Sequence, residues 1–353
     1  MPPKVGGNLK GTKRRPGRSE NDKTQEAAEQ PKQPVVAKCA TNARAEVEKW
    51  AHRALEKGVE GLREEFLDLK RYVPPDMTVT AFVANHEAGR NRYKDVPCGD
   101  RRRVVVKWPG VGYDYIHANY VATPISDKRF ILAQGPVDGT VVDFWHMIAI
   151  EESDSIIMLC NIVEKGMNKC APYWPFEAGQ KCVYGDVEVT NNNVRQLTPE
   201  EMTVRISILT LRYKLDGKEI VREVRHYHWV DWPDRGVPPP RLTALVLLSH
   251  VRGSKKPIVV HCSAGIGRTG TIVAIEFILE RLQQGIPCEA MDELLKELRN
   301  QRPYAIQTDL QYLFVHRVML FYFFEKYKIV VNTPENTKLY QQFVIDYDKA
   351  TAV

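Results

Sequence analysis

The stretch PIVVHCSAGIGRTGTIVAIEFILERLQQ, residues 257–284, decides the fold. Pro257 to His261 is a short apolar run that predicts a buried strand. From Thr269 onward apolar residues recur at helical spacing until Gly285, which predicts a helix. Between them CSAGIGR must turn from strand to helix. Such a turn aims successive backbone N–H groups at one point in front of a helix N-terminus, which is an anion site suited to phosphate. Gly265 and Gly267 are expected where this turn bends sharply. Arg268 adds a planar fork that holds two phosphate oxygens at once. Cys262, at the first position, faces the same positive potential, which favours its thiolate. Thiols so placed fall from about 8.5 toward roughly 3.5–7.5. Cys262 is therefore a candidate nucleophile toward phosphorus, open to reversible oxidation. A small buried cysteine beside a structural arginine is the plain alternative. A bare Cys-x5-Arg pattern occurs often by chance, whereas strand, His-Cys-x2-Gly-x2-Arg-[Ser/Thr]-Gly and helix in sequence do not.

Working outward, the chain has 353 residues, 43% of them hydrophobic, enough for a full core. The net charge is +6, but residues 1–40 hold nine Lys and Arg against four Asp and Glu, so the rest is close to neutral. Nothing in that balance argues for nucleic acid. Seven cysteines (Cys39, Cys98, Cys160, Cys170, Cys182, Cys262, Cys288) lack metal or disulfide spacing, which favours a reducing, intracellular setting. The N-terminus has no apolar signal core, and the greasiest run, VMLFYFFEKYKIVV, is broken by charges. A soluble protein is expected.

Residues 1–42 are poor in aromatic and β-branched residues and read as a disordered basic tail. Its KRRPGR suits a nuclear-import or phosphorylation signal, a solvated tail being the plainer reading. The body, 43–326, opens with an amphipathic helical pair broken near Gly58. A strand-rich middle follows, with MTVRISILTLRYK and KEIVREVRHYHWV flanking the hairpin pair Asp216-Gly217. The last third is helical, and residues 327–353 carry helical spacing that can dock on the body or float free. The fold class expected is α/β (α+β), a central mixed sheet covered by helices.

VHCSAGIGRTG resembles the signature loop of the protein tyrosine phosphatases, and the likeness spans about residues 45–325 with further motifs in the family's order. The resemblance implies that the sheet is highly twisted and that Cys262 forms a phosphocysteine intermediate. In the same reading Arg268 binds substrate and transition state, Thr269 stabilises the cysteine as leaving group, and His261 tunes the thiolate. Ser263, Ala264, Gly265, Ile266 and Gly267 complete the phosphate cradle. VDWPDRGVP (230–238) is similar to the family's mobile acid loop, with Asp234 as general acid, Trp232 as hinge anchor, Pro233 as stiffener and Asp231 an ordinary loop residue. QTDLQYLFVH (307–316) is similar to the glutamine loop, Gln307 orienting water and Gln311 supporting it. Arg299 and Arg302 match bracing arginines, though as helix-end charges they look exposed. NRYKDV (91–96) resembles the phosphotyrosine-recognition loop, Tyr93 walling a slot too deep for phosphoserine and Asp95 binding the substrate backbone. Glu164 pairs with Arg268, and Lys169 lies near the acid loop.

Two positions depart from the pattern: His117 stands where asparagine is usual, and Cys98-Gly99 where a Pro-aromatic pair is usual. Both are expected on the recognition side, affecting peptide preference more than activity. His226 and His228 share a strand face that could hold a metal, but no metal or cofactor is expected. A catalytically dead binding module would lack the cysteine, arginine or acid. A dual-specificity phosphatase would be shorter and lack the Asn-Arg-Tyr motif, and an inositol-lipid phosphatase would want lysines in its cradle. The reading is a non-receptor-type enzyme acting on phosphotyrosine proteins in cytoplasmic signalling, its basic tail allowing a nuclear address.

Overall fold

The structure is a computed structural model that describes residues 41–326, 328 and 333–352. The expected tail with its KRRPGR motif lies, apart from its last two residues, outside the described residues.

Among the described residues the helices are α1 (Thr41–Leu69), α2 (Thr80–Ala84), α3 (Val141–Ile150), α4 (Thr243–Val251), α5 (Gly267–Gln283), α6 (Met291–Gln301), α7 (Asp309–Phe321) and α8 (Pro334–Thr351). The strands are β1 (Arg103–Val105), β2 (Tyr115–Thr123), β3 (Ser126–Ala133), β4 (Ser155–Met158), β5 (Val163–Glu164), β6 (Met167–Asn168), β7 (Lys181–Tyr184), β8 (Val187–Gln196), β9 (Val204–Leu215), β10 (Lys218–Trp229) and β11 (Ile258–His261). Nine form one mixed sheet in the order β1-β2-β3-β11-β4-β10-β9-β8-β7, and β5 and β6 form a small hairpin. At its centre β3, β11, β4 and β10 run parallel, while both flanks are antiparallel. This is the helix-covered mixed sheet expected from the sequence.

Local chemistry explains the elements that place the site. Asp216 and Gly217, with φ of 50° and 77°, turn β9 into β10 so that Leu215 faces Lys218 and pairing runs to Val204 opposite Trp229. Gly58, at φ 60°, breaks α1 where two helices were expected. β11 is central, so Ile258, Val259 and Val260 have no exposure. Each buried side chain stabilises by roughly 1.5–3 kcal/mol, and Ile258→Ala would cost about 2–5 kcal/mol. α5 begins directly after the turn and is buried on nearly every side, packed against β2, β3, β11 and helices α1, α4, α6 and α7. It ends as Gly285 at φ 66° lets the amide of Ile286 reach the carbonyl of Arg281 at 2.9 Å. α8 lies on α1 and α7, burying Tyr340, Phe343 and Tyr347.

Candidate active site

Where the carbonyls of residues 262–266 go determines what the turn can bind. His261 Nδ1 lies 3.1 Å from the Cys262 carbonyl, and the Gly135 amide donates to Ser263 O at 3.0 Å. Arg302 donates from Nη2 to Ala264 O at 3.1 Å and from Nε to Gly265 O at 3.0 Å. The amides of Gly270 and Ile306 both reach Ile266 O at 3.0 Å. A trans peptide unit points its carbonyl and the following N–H in opposite directions. Five carbonyls held on the outside therefore turn the amides of residues 263–267 inward. One is seen doing so: Gly265 N–H donates to Cys262 Sγ at 3.2 Å.

Gly265 is left-handed at φ 70°, and a Cβ there would lie 2.0 Å from the carbonyl oxygen of Ala133. Gly267 differs from expectation. It is not left-handed, and opens α5; its need is space, since a Cβ would lie 3.0 Å from the Gln311 side-chain amide and 3.1 Å from Gln307 Oε1.

Arg268 is 2% exposed and forks onto Glu164, Nη1 to Oε1 at 2.7 Å and Nη2 to Oε2 at 3.1 Å. Burial opposes its charge, but Glu164 and the sulfur of Cys262 outweigh it and raise its pKa. Nη1 also donates to the carbonyl of Trp232 at 2.9 Å, and Nη2 lies 3.4 Å from Asp234 Oδ1. Asp234 Oδ2 accepts from Lys169 Nζ at 2.8 Å. Burial pushes the Asp234 carboxyl up, yet the bond from Lys169 and the charge of Arg268 hold it below its ordinary value. Trp232 is buried against Trp229 and Phe314, and its indole donates to Gly236 O at 3.1 Å. Pro233 O accepts from the Gly236 amide at 3.2 Å, while Asp231 accepts from the Trp229 indole and so has a structural partner.

Tyr93 is half-buried with its hydroxyl 2.8 Å from Ser263 Oγ, and Ser263 Oγ donates to Lys169 O at 2.9 Å. Asp95 is exposed. Gln311 is buried, its Oε1 accepting from the amides of Gln307 at 3.0 Å and Thr308 at 3.3 Å, so it sets the backbone that carries Gln307. The Thr269 hydroxyl is buried with no hydrogen-bond partner, and the structure does not pair it with the Cys262 sulfur. His261 is fully buried, and burial holds its pKa down to about 3, so it brings no positive charge to the sulfur. It must donate from Nδ1 to the carbonyl, so its Nε2 accepts from Tyr173 O–H at 2.7 Å. Tyr173 in turn accepts from His226 Nε2 at 2.6 Å, and His228 Nε2 donates to Cys160 O at 2.9 Å. Both histidines of the considered metal pair are thus engaged, and among the described residues no group of three His, Cys, Asp or Glu is placed to hold a metal.

Arg299 and Arg302 are buried rather than exposed helix-end charges, which agrees with the bracing role that the resemblance implies. Arg299 donates to the carbonyls of Leu69, Ala305 and Ile306, and burial lowers its pKa to about 10. The sequence reading also missed Arg92, which donates to the carbonyls of Gly135 and Pro136, and Gln134, which accepts from the Arg92 amide at 2.9 Å. A charged residue inside the half-buried NRY segment was the available signal. Their carbonyl partners carry no side-chain mark.

The protein-tyrosine phosphatase family pattern matches residues 87–321. Human receptor-type tyrosine-protein phosphatase zeta is 36% identical over 279 residues, which is 74% of this chain and 12% of that protein. The tyrosine-protein phosphatase Lar-like of Caenorhabditis elegans is 38% identical over 239 residues, 65% of this chain and 10% of that protein. The chain thus matches only about a tenth of the length of these curated relatives. The solved catalytic domain of human protein tyrosine phosphatase non-receptor type 18 superposes with a TM-score of 0.67 at 27% identity, covering 76% of this chain and 98% of that one. The same phosphatase in complex with HER2-pY1196 phosphopeptides gives 0.70 at 26% identity, covering 82% and 100%. Among the described residues no helix is long and apolar enough to cross a membrane.

Proposed function

Because the chain belongs to the protein-tyrosine phosphatase family, we propose that residues 43–326 form a catalytic unit that hydrolyses phosphotyrosine in proteins, with 327–353 an extension of it. Cys262 Sγ, as thiolate, attacks phosphorus; the bond to the tyrosyl oxygen breaks, and Asp234 gives that oxygen a proton. Water oriented by Gln307 then attacks the phosphocysteine and loses a proton to Asp234. The S–P bond breaks, releasing phosphate and the thiolate. Inward amides and Arg268 bind the phosphoryl oxygens throughout.

The observation that carries this reading is the outward anchoring of five consecutive carbonyls around a cysteine whose sulfur already accepts an amide. Asp234 must be protonated to act as acid, although here Lys169 and Arg268 hold it ionised. A phosphate dianion set against Arg268 adds negative charge beside Asp234 and raises its pKa. Tyr93, braced on Ser263, supports a slot for an aromatic phosphoester, and Asp95, exposed beside it, suits a contact to substrate backbone. Thr269, whose buried hydroxyl has no partner, remains the candidate donor to the departing sulfur, and His261 acts through the Cys262 carbonyl. Phosphotyrosine proteins of cytoplasmic signalling are the proposed substrates. The test is hydrolysis of a phosphotyrosine peptide beside its phosphoserine analogue by wild type and Cys262→Ser. Turnover of the tyrosine peptide by wild type alone is expected. Equal turnover of both peptides refutes tyrosine specificity, and none by wild type leaves a binding module.

A further inference from the structure

The two departures from the family's sequence pattern converge on Arg302, His117 directly and Cys98-Gly99 through Asn119. Arg302 has no solvent exposure, and none of its partners is a carboxylate. Besides the carbonyls of Ala264 and Gly265, it donates to Asn119 Oδ1 at 2.8 Å and to His117 Nδ1 at 3.1 Å. His117 is 2% exposed, and its Nε2 lies 2.8 Å from Val96 O. A carbonyl only accepts, so Nε2 carries the proton and Nδ1 offers its lone pair to Arg302. One neutral tautomer serves both partners. Burial and the charge of Arg302 hold the imidazole near a pKa of about 3, so it stays neutral across the working range. Cys98 thiol donates to Asn119 Oδ1 at 3.4 Å, and Asn119 Nδ2 donates to Gly99 O at 3.0 Å. Segment 96–99 follows Tyr93 and Asp95 directly. It is therefore tied through His117 and Asn119 to the arginine that pins the nucleophile loop.

We propose that His117 is a positioning residue that couples the recognition segment to the nucleophile loop, Nδ1 holding Arg302 against the carbonyls of Ala264 and Gly265 and Nε2–H holding Val96. On this proposal the His117 departure bears on activity as well as on peptide preference, because His117 contacts the arginine that holds the cradle.

The turnover arm of the test rests on the phosphatase reading above; the alkylation arm does not. The full chain is prepared as wild type, His117→Asn, His117→Gln and His117→Leu. Asparagine can put an acceptor where Nδ1 lies and nothing at Nε2, whereas glutamine reaches the Nε2 position alone. Measured are kcat and KM on a phosphotyrosine peptide, the pH midpoint of Cys262 alkylation by iodoacetate, and melting temperature. His117→Gln and His117→Leu are expected to lower kcat by about three- to thirtyfold and to move the alkylation midpoint up by about half a unit or more. His117→Asn is expected to restore both and to raise KM by about threefold or more. Unchanged alkylation midpoints in folded Gln and Leu variants overturn the proposal, whatever happens to melting. An Asn variant indistinguishable from Leu overturns it as well. A wild type without turnover sinks the functional reading instead, and the alkylation midpoints still decide the role of His117.

Discussion

The nucleophile loop and the acid loop face each other across Arg268 and are held on opposite terms. Residues 262–266 are fixed through backbone, every carbonyl occupied and Gly265 in a conformation with no room for a side chain. The acid loop is fixed mostly through its own side chains: the buried Trp232, whose indole donates to Gly236 O, and Asp234 shared between Lys169 and Arg268. A turn pinned at five successive carbonyls cannot change shape without losing those bonds together, so it serves as a preformed oxyanion site. A loop held by an ion pair can exchange partners when a dianion competes for the same arginine, and that exchange suits an acid that must gain and lose a proton.

The contrast breaks first at Gly265. Gly265→Ala is expected to lose about 3 kcal/mol or more of stability, with turnover beyond detection, because the Cβ meets Ala133 O in a left-handed residue. Native melting and activity would mean the turn is not rigid. Next, Asp234→Ala is expected to lower kcat about 10²- to 10⁴-fold with KM nearly unchanged, read by steady-state kinetics on a phosphotyrosine peptide. Near-normal kcat places the acid elsewhere. Lys169→Met sharpens the comparison by pH. Lys169 holds the Asp234 carboxyl below its ordinary value, so its removal raises that pKa and the proton is kept to higher pH. The basic limb of the kcat profile should move up by about one unit at most, and a move down refutes the coupling. The smallest effect is at Thr308, whose hydroxyl accepts from Gln311 N at 3.2 Å and donates to the acid loop. Thr308→Ala should cost about 1 kcal/mol in melting and lower kcat about twofold, with Thr308→Ser restoring both.

The parts written in side chains and periodicity were legible in the sequence. Residue type and spacing mark the strand-turn-helix of residues 257–284 with Cys262 and Arg268 in it, the Asp216-Gly217 hairpin and the break at Gly58, and motif resemblance points to Asp234 and Gln307, which the fold brings beside that loop. What was missed depends on which carbonyl a side chain finds. Arg299 and Arg302 resemble bracing arginines, but which carbonyls they brace, up to 230 residues away, is seen only in the fold. Likewise His117 reads as a departure on the recognition side, and its link between Val96 and Arg302 exists only in three dimensions. Gly267 was assigned a bend because glycine permits one, yet it serves the approach of two glutamines.

The claim beneath all of this is that the amides of residues 263–267 converge in front of the Cys262 sulfur. A crystal structure of the Cys262→Ser protein with tungstate tests it most directly. One tungstate is expected seated over position 262, its oxygens about 2.7–3.2 Å from those amides, with the Arg268 fork on two of them. Tungstate found only elsewhere, or carbonyl oxygens lining that face, would contradict it.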